Sequence, residues 1–275
     1  MKDNLLICKL SLPIINLLKR LFFAVLQYWK ISLFGGLKML IEFIKGYGIL
    51  IGYFVILATT ALMLHRFITI PKEVFRKILH MILLGSVFVW VYAFNTWWIS
   101  ATGTIVFIIM VYPVLAVAER KLPVYSEFLI ERKNGEIKRS LVVAFFMFAV
   151  LISVCWGWLG EKYLVIASVL AWGLGDAAAA LVGKRFGRHH IEGKLVEGRK
   201  SLEGTVAMFV VSFIAVIIVL LMHFSLKWYS YIPTAALTAA VCALVELYTR
   251  GGMDTITCPL AAAVILISLV HLWGV

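Results

Sequence analysis

Apolar runs of about 20 residues, separated by short polar stretches, dominate this 275-residue chain. A helix needs about 20 mostly apolar residues to cross the hydrocarbon core of a bilayer. Eight runs meet that requirement, at roughly 46–64, 78–94, 96–118, 140–159, 162–182, 204–223, 231–247 and 258–274. The pattern predicts an all-α fold, a polytopic integral membrane helical bundle of about eight transmembrane helices. The first 45 residues are also apolar, but Lys9, Lys19, Arg20, Lys30 and Lys38 interrupt them. They read as an amphipathic N-terminal extension on the membrane surface, or as a further crossing near 20–37. The expected organisation is an extension over 1–45 and a single transmembrane domain over 46–275. No small-residue cleavage pattern follows a compact apolar core, so a cleaved leader is not expected.

Composition agrees with the pattern. The chain is 63% hydrophobic and 15% charged, with a mean hydropathy of +1.00. Soluble domains carry about 25% charged residues. Disorder and coiled coil are both excluded by these values. The four cysteines, Cys8, Cys155, Cys242 and Cys258, lack metal-ligand spacing and read as small buried hydrophobes.

The formal charge is +12, and its placement says more than its size. The loop over 65–77 carries Arg66, Lys72, Arg76 and Lys77; those over 119–139 and 183–204 carry six Lys or Arg each. The loop over 248–257 carries Arg250. These are alternate loops and share one side of the membrane. Positively charged loops stay in the cytoplasm, so this side is expected to be cytoplasmic. Much of the positive charge then serves topology. No nucleic-acid partner is expected.

The acids are sparser and more telling. Of three aspartates, Asp176 and Asp254 both fall at expected cytoplasmic helix ends. Glu246 precedes Asp254 by eight residues, and Glu203 opens a helix. Acids at the edge of membrane helices mark candidate functional sites, though structural ion pairs gather the same groups. Asp176, Ala180, Gly183 and Gly187 share one helical face almost free of side chains. Such a face admits either a neighbouring helix or a ligand. It leads into Gly-Lys-Arg-Phe-Gly-Arg188, with Lys194, Arg199 and Lys200 beyond. Clustered Lys and Arg suit a polyphosphate, and an adjacent carboxylate suits Mg²⁺. The run Gly193 to Ser201 is not a P-loop, since no strand is expected before it and Arg199 stands where the motif needs Lys. His189 and His190 lack a third metal ligand and read as a solvated pair.

The segment Gly175-Asp176-Ala177, Ala179, Gly183, Phe186-Gly187, then Lys200-Ser201-Leu202-Glu203-Gly204 resembles the CTP-dependent lipid kinase family. That family includes dolichol kinase, phytol kinase and the yeast-type diacylglycerol kinase. Two further stretches resemble its motifs: Arg76-Lys77-Ile-Leu-His80, and Glu246 followed by Gly251-Gly252-Met253-Asp254-Thr255 and Pro259. Thr255 stands where the family has Asn. The resemblance covers about 72–275. Phosphatidate cytidylyltransferase resembles the same central segment, but its C-terminal signature is missing here.

The resemblance implies an integral membrane enzyme with its site facing the cytoplasm. It would transfer the γ-phosphate of CTP to phytol, farnesol, dolichol or another polyprenol, or to diacylglycerol. Asp176 and Asp254 are the candidate Mg²⁺ ligands. Asp254 and Glu246 are candidates for a second carboxylate or for the base that takes the hydroxyl proton, and His80 for a role near the lipid hydroxyl. Arg76, Lys77, Arg188, Arg199 and Lys200 would neutralise phosphate, with Gly183, Gly187, Ser201, Glu203 and Gly204 shaping the nucleotide site. Two other readings stay open: a cytidylyltransferase acting on phosphatidate, and a non-enzymatic transporter or scaffold.

Overall fold

The computed structural model describes residues 36–121, 135–191, 196, 200–249 and 252–273. The chain divides into two units, Met1–Lys45 and Gly46–Val275. Eight helices among the described residues are long and apolar enough to cross a membrane. They are α1 (Gly36–Phe67), α2 (Lys72–Tyr92), α3 (Trp97–Lys121), α4 (Glu136–Leu151, whose membrane span Lys138–Trp158 takes in the segment that follows it), α5 (Lys162–Phe186), α6 (Leu202–His223), α7 (Tyr231–Tyr248) and α8 (Asp254–Leu272). The chain is a polytopic membrane helical bundle, as the hydrophobic pattern predicts. Helix α4 runs on as a π-helical segment, Ile152–Trp158. A two-residue antiparallel ladder, β1 (His190–Ile191) with β2 (Lys200–Ser201), joins α5 to α6.

Two boundaries differ from the expectation in an informative way. Helix α1 is already helical at Gly36, the first described residue, ten residues before the expected start near 46. Residues 36–45 hold Lys38, Glu42 and Lys45, which lower local hydropathy without ending a helix. Helix α8 begins at Asp254, four residues before its apolar run. An aspartate in the first turn favours the positive end of the helix macrodipole.

Within the second unit, the first four helices interlock through aromatic rings. Trp90 of α2 is fully buried, stacked on Phe94 and edge-on to Tyr47, Phe107 and Phe145. Phe54 of α1 stacks on Phe107 of α3, whose ring centroid lies 4.7 Å from that of Phe145 of α4. The last four helices meet through small residues. Ala235, Ala239 and Ala243 of α7 and Ala262 and Ala263 of α8 are buried. Ser212 of α6 donates to the Ala171 carbonyl of α5 at 2.6 Å, and a Cβ on Gly175 would lie 2.3 Å from its Oγ. Small residues of this kind let membrane helices approach closely.

The start of α2, the later part of α5, the lead-in to α6 and the end of α7 meet at one end of the second unit, where Lys77 pairs with Asp176 and Lys200 with Glu246. At the other end Tyr163 of α5 stacks on His223 of α6 at 3.8 Å, and Lys162 lies over Tyr92 and Trp156. Amphipathic aromatics sit favourably at a membrane–water boundary, and these rings join α2, α5 and α6 at the end away from the charged cluster.

Candidate active site

The site begins in the first turns of α2. Pro71 precedes the helix, where its missing N–H costs nothing. Glu73, Arg76, Lys77 and His80 recur at three- and four-residue spacing and so share a face. Phe75 turns the other way and is fully buried, which holds that face in place. Lys77 reaches across to α5 and donates to Asp176 Oδ2 at 2.6 Å and to the Asp176 main-chain carbonyl at 3.4 Å. The side chains of this pair are 7% and 18% exposed. His80 Nε2 lies 3.7 Å from the same Oδ2, and its ring stands edge-on to Trp172 of α5. That nitrogen is buried without a hydrogen-bond partner. A buried ion pair of this kind is held by geometry, and removing either charge strands the other.

A second pair stands nearby. Lys200 of β2 donates to Glu246 Oε1 of α7 at 2.9 Å and also to the Glu246 main-chain carbonyl. Just ahead of α8, Gly252 has a φ of 75°, in the left-handed region open to glycine. A 3.1 Å hydrogen bond between the Thr249 and Thr257 hydroxyls ties α7 to α8. Asp254, the first residue of α8, stands beside the cluster. Asp176, Glu246 and Asp254 are close enough to feel one another's charge, and Asp254 also feels Lys77 and Lys200. Asp254 makes no ion pair among the described residues.

Helices α5 and α6 meet at their glycines. A Cβ on Gly204 would lie 3.0 Å from the Ala179 carbonyl, and one on Gly183 would lie 3.1 Å from Ser201 Oγ. A Cβ on Gly187 would lie 2.8 Å from Ser201 Oγ and 3.0 Å from Ser201 Cβ. The small face of α5 is thus filled at Gly183 and Gly187 by the start of α6. Ser201 is the N-cap of α6, its hydroxyl accepting from the Gly204 N–H at 3.2 Å. Glu203 accepts from the His189 main-chain N–H and lies 2.8 Å from His189 Nδ1, so it holds the incoming loop.

Of the residues singled out from the sequence, Lys77, His80, Asp176, Lys200, Glu246 and Asp254 come together, although they span nearly 180 positions. Ser201, Glu203, Gly183, Gly187 and Gly204 form the adjoining α5–α6 junction. Arg76 pairs instead with Glu73 of its own helix at 3.0 Å. Arg188 is exposed, and Arg199 lies outside the described residues. Glu73 and Trp172 were not expected. Glu73 also draws Lys184 of α5 to 3.8 Å, and its signal was its place on the face of Lys77 and His80. Trp172 lies four residues before Asp176 on the same face of α5.

Among the described residues no three or more His, Cys, Asp or Glu side chains gather to hold a metal by themselves. Magnesium asks for less, commonly one or two carboxylates with phosphate oxygens completing the shell. The surplus carboxylate of Asp254, among hard oxygen donors, fits that requirement.

No family model matches the chain, and no solved structure matches it. A phytol kinase from Synechocystis sp. is 31% identical over 217 residues, covering 78% of this chain and 87% of that protein. A likeness of that extent, over nearly the whole relative, is one of descent, and the chain belongs to the lipid kinase family that contains phytol kinase.

Proposed function

We propose that the protein transfers the γ-phosphoryl group of CTP to the hydroxyl of a membrane lipid alcohol. Acceptors of fitting chemistry are phytol, farnesol, dolichol and other polyprenols, and diacylglycerol. The observation that carries the reading is the cluster of two lysine–carboxylate pairs and a surplus aspartate in a member of this family.

Phosphoryl transfer asks the protein mainly for positioning and charge stabilisation. The alcohol oxygen forms a bond to the γ-phosphorus as the bond from that phosphorus to the bridging oxygen breaks. CDP leaves with the bonding pair, and the hydroxyl proton passes to a base. Mg²⁺ held by Asp176 and Asp254 would supply charge neutralisation on the phosphates. Lys200 would face the polyphosphate, and Lys77 holds the Asp176 carboxylate in place. His80 stands one turn from Lys77, with a nitrogen free to take the hydroxyl proton. Helix-flanked apolar surface would take the lipid tail, with the head group at the charged end, which we place in the cytoplasm.

The test uses purified protein in detergent with Mg²⁺ and CTP labelled at the γ- or the α-phosphate. Each candidate alcohol, and phosphatidate, is offered separately. Label in the lipid from the γ-position alone is expected. Label from the α-position on phosphatidate would establish a cytidylyltransferase, and label from neither would remove the kinase reading. Asp176→Asn is expected to lower kcat by about a hundredfold, roughly 2.7 kcal/mol of barrier. Near wild-type turnover in a folded variant would exclude Asp176 from metal binding.

A further inference from the structure

The two lysine–carboxylate pairs are built differently. Lys77 joins one membrane helix to another, with its ammonium on Asp176. Lys200 instead projects from the two-residue ladder, ahead of α6, and crosses to the end of α7. Two atoms hold its ammonium there, Glu246 Oε1 and the Glu246 main-chain carbonyl. Both belong to one residue. A lysine stem is long and flexible, so without the Glu246 carboxylate only a main-chain carbonyl is left to hold the ammonium. Its main-chain neighbours are fixed already, through the β1–β2 ladder and the Ser201 cap. What Glu246 adds is the direction of the side chain.

The Glu246 carboxylate is engaged by that ammonium at 2.9 Å. Asp254 lies within reach of the same charges and carries no such partner among the described residues. The three acids therefore divide: one paired across helices, one paired to a loop lysine, and one left over.

We infer that Glu246 is a positioning residue, which acts through Lys200 by aiming its ammonium at the polyphosphate. The inference rests on the kinase reading above and assigns the roles within it. It separates Glu246 from Asp254, which lies only eight residues on.

A double-mutant cycle on the full-length protein tests it, read as KM for CTP and kcat with Mg²⁺ in detergent. Lys200→Ala is expected to raise KM about tenfold, and Glu246→Ala to raise it by a similar factor. The double variant should be within about twofold of Lys200→Ala alone, because the second change removes a partner already lost. Glu246→Gln keeps an oxygen for Lys200 and should stay within about threefold of wild type in KM, with the pH profile of kcat unmoved. That variant also keeps the test available if Glu246→Ala does not fold. Multiplying losses in the double variant, a drop in kcat of about a hundredfold in Glu246→Gln, or a lost limb of its pH profile would each overturn the inference. A wild type that labels no lipid overturns the kinase reading instead. The cycle is then read on CTP affinity by calorimetry, where non-additivity supports the role of Glu246 and additive losses remove it.

Discussion

Helices α1–α4 and α5–α8 solve the same problem, bringing helices together in lipid, with opposite materials. The first group uses large rings: Trp90, Phe107, Phe145 and Phe148 are buried and interlock. The second uses absence of side chain: glycines at 175, 183 and 204, and alanines along α7 and α8. Water supplies no hydrophobic driving force between helices inside a bilayer, so contact area and close approach decide association. Rings supply area, and small residues supply approach. The charged site lies where the groups meet, since α2 gives Lys77 and His80 while α5, α7 and α8 give Asp176, Glu246 and Asp254. Close approach in the second group brings three short acidic side chains within range of each other.

The comparison breaks first at its seam. Lys77→Met removes the counter-charge of a carboxylate that is 18% exposed. Stranding a buried charge costs about 3–5 kcal/mol, so the melting temperature in detergent should fall and kinase activity with it. Phe145→Ala should cost a similar amount, about 3–5 kcal/mol, through the cavity it leaves among Phe54, Trp90, Phe107 and Phe148. Nucleotide binding tells the two variants apart. Protein that remains folded with Phe145→Ala should keep its KM for CTP, whereas Lys77→Met should not. Equal effects on KM would mean that the ring-packed group shapes the site after all.

How much of this was legible in the sequence differs between the fold and the site. Eight apolar runs sufficed for eight spans, because a bilayer imposes length and hydrophobicity on each one separately. The boundaries were less clear where charge continues inside a helix, as at Lys38 to Lys45 and at Asp254. Asp176 and Asp254 stood out because acids are rare in such segments. Their pairing did not. Lys77 and Arg76 were named together through the resemblance, and nothing in the sequence separates a lysine that ends on Asp176 from Arg76, which turns back to Glu73. The small face of α5 was legible as a face, but spacing alone cannot say whether a helix or a ligand fills it. The structure fills it at Gly183 and Gly187 with the start of α6. The pairing of Lys200 with Glu246 depends on where α7 ends in space, which no local pattern carries.

A gentler change sharpens the contrast. Gly204→Ala adds one methyl group 3.0 Å from the Ala179 carbonyl and 3.4 Å from Gly183 Cα. The obstacle is backbone on both counts, so α5 and α6 must part by a few tenths of an ångström. Overpacking costs about 1–3 kcal/mol. Because Lys200 lies just ahead of that junction, activity should fall more steeply than the melting temperature. A matched change in the first group, Ala144→Gly, adds no atoms and should leave activity intact. Loss of stability without loss of activity in Gly204→Ala would show that the junction holds the helices but does not place the site.

The smallest expected effect isolates the cap. Ser201 Oγ accepts from the Gly204 N–H and so satisfies a helix donor that would otherwise lack a partner. Ser201→Ala should cost about 1 kcal/mol, the usual loss for an N-cap. Thermal melting in detergent measures it directly. The same hydroxyl lies 3.1 Å from the point where a Gly183 side chain would begin, so its removal also loosens the α5–α6 contact slightly. Kinetics separate these roles. If Ser201 serves only as a cap, KM for CTP should rise no more than stability loss explains, and Ser201→Thr should restore both. A KM that rises by about tenfold while melting is unchanged would place the hydroxyl on the nucleotide itself. The small-residue junction would then be part of the binding surface rather than its support.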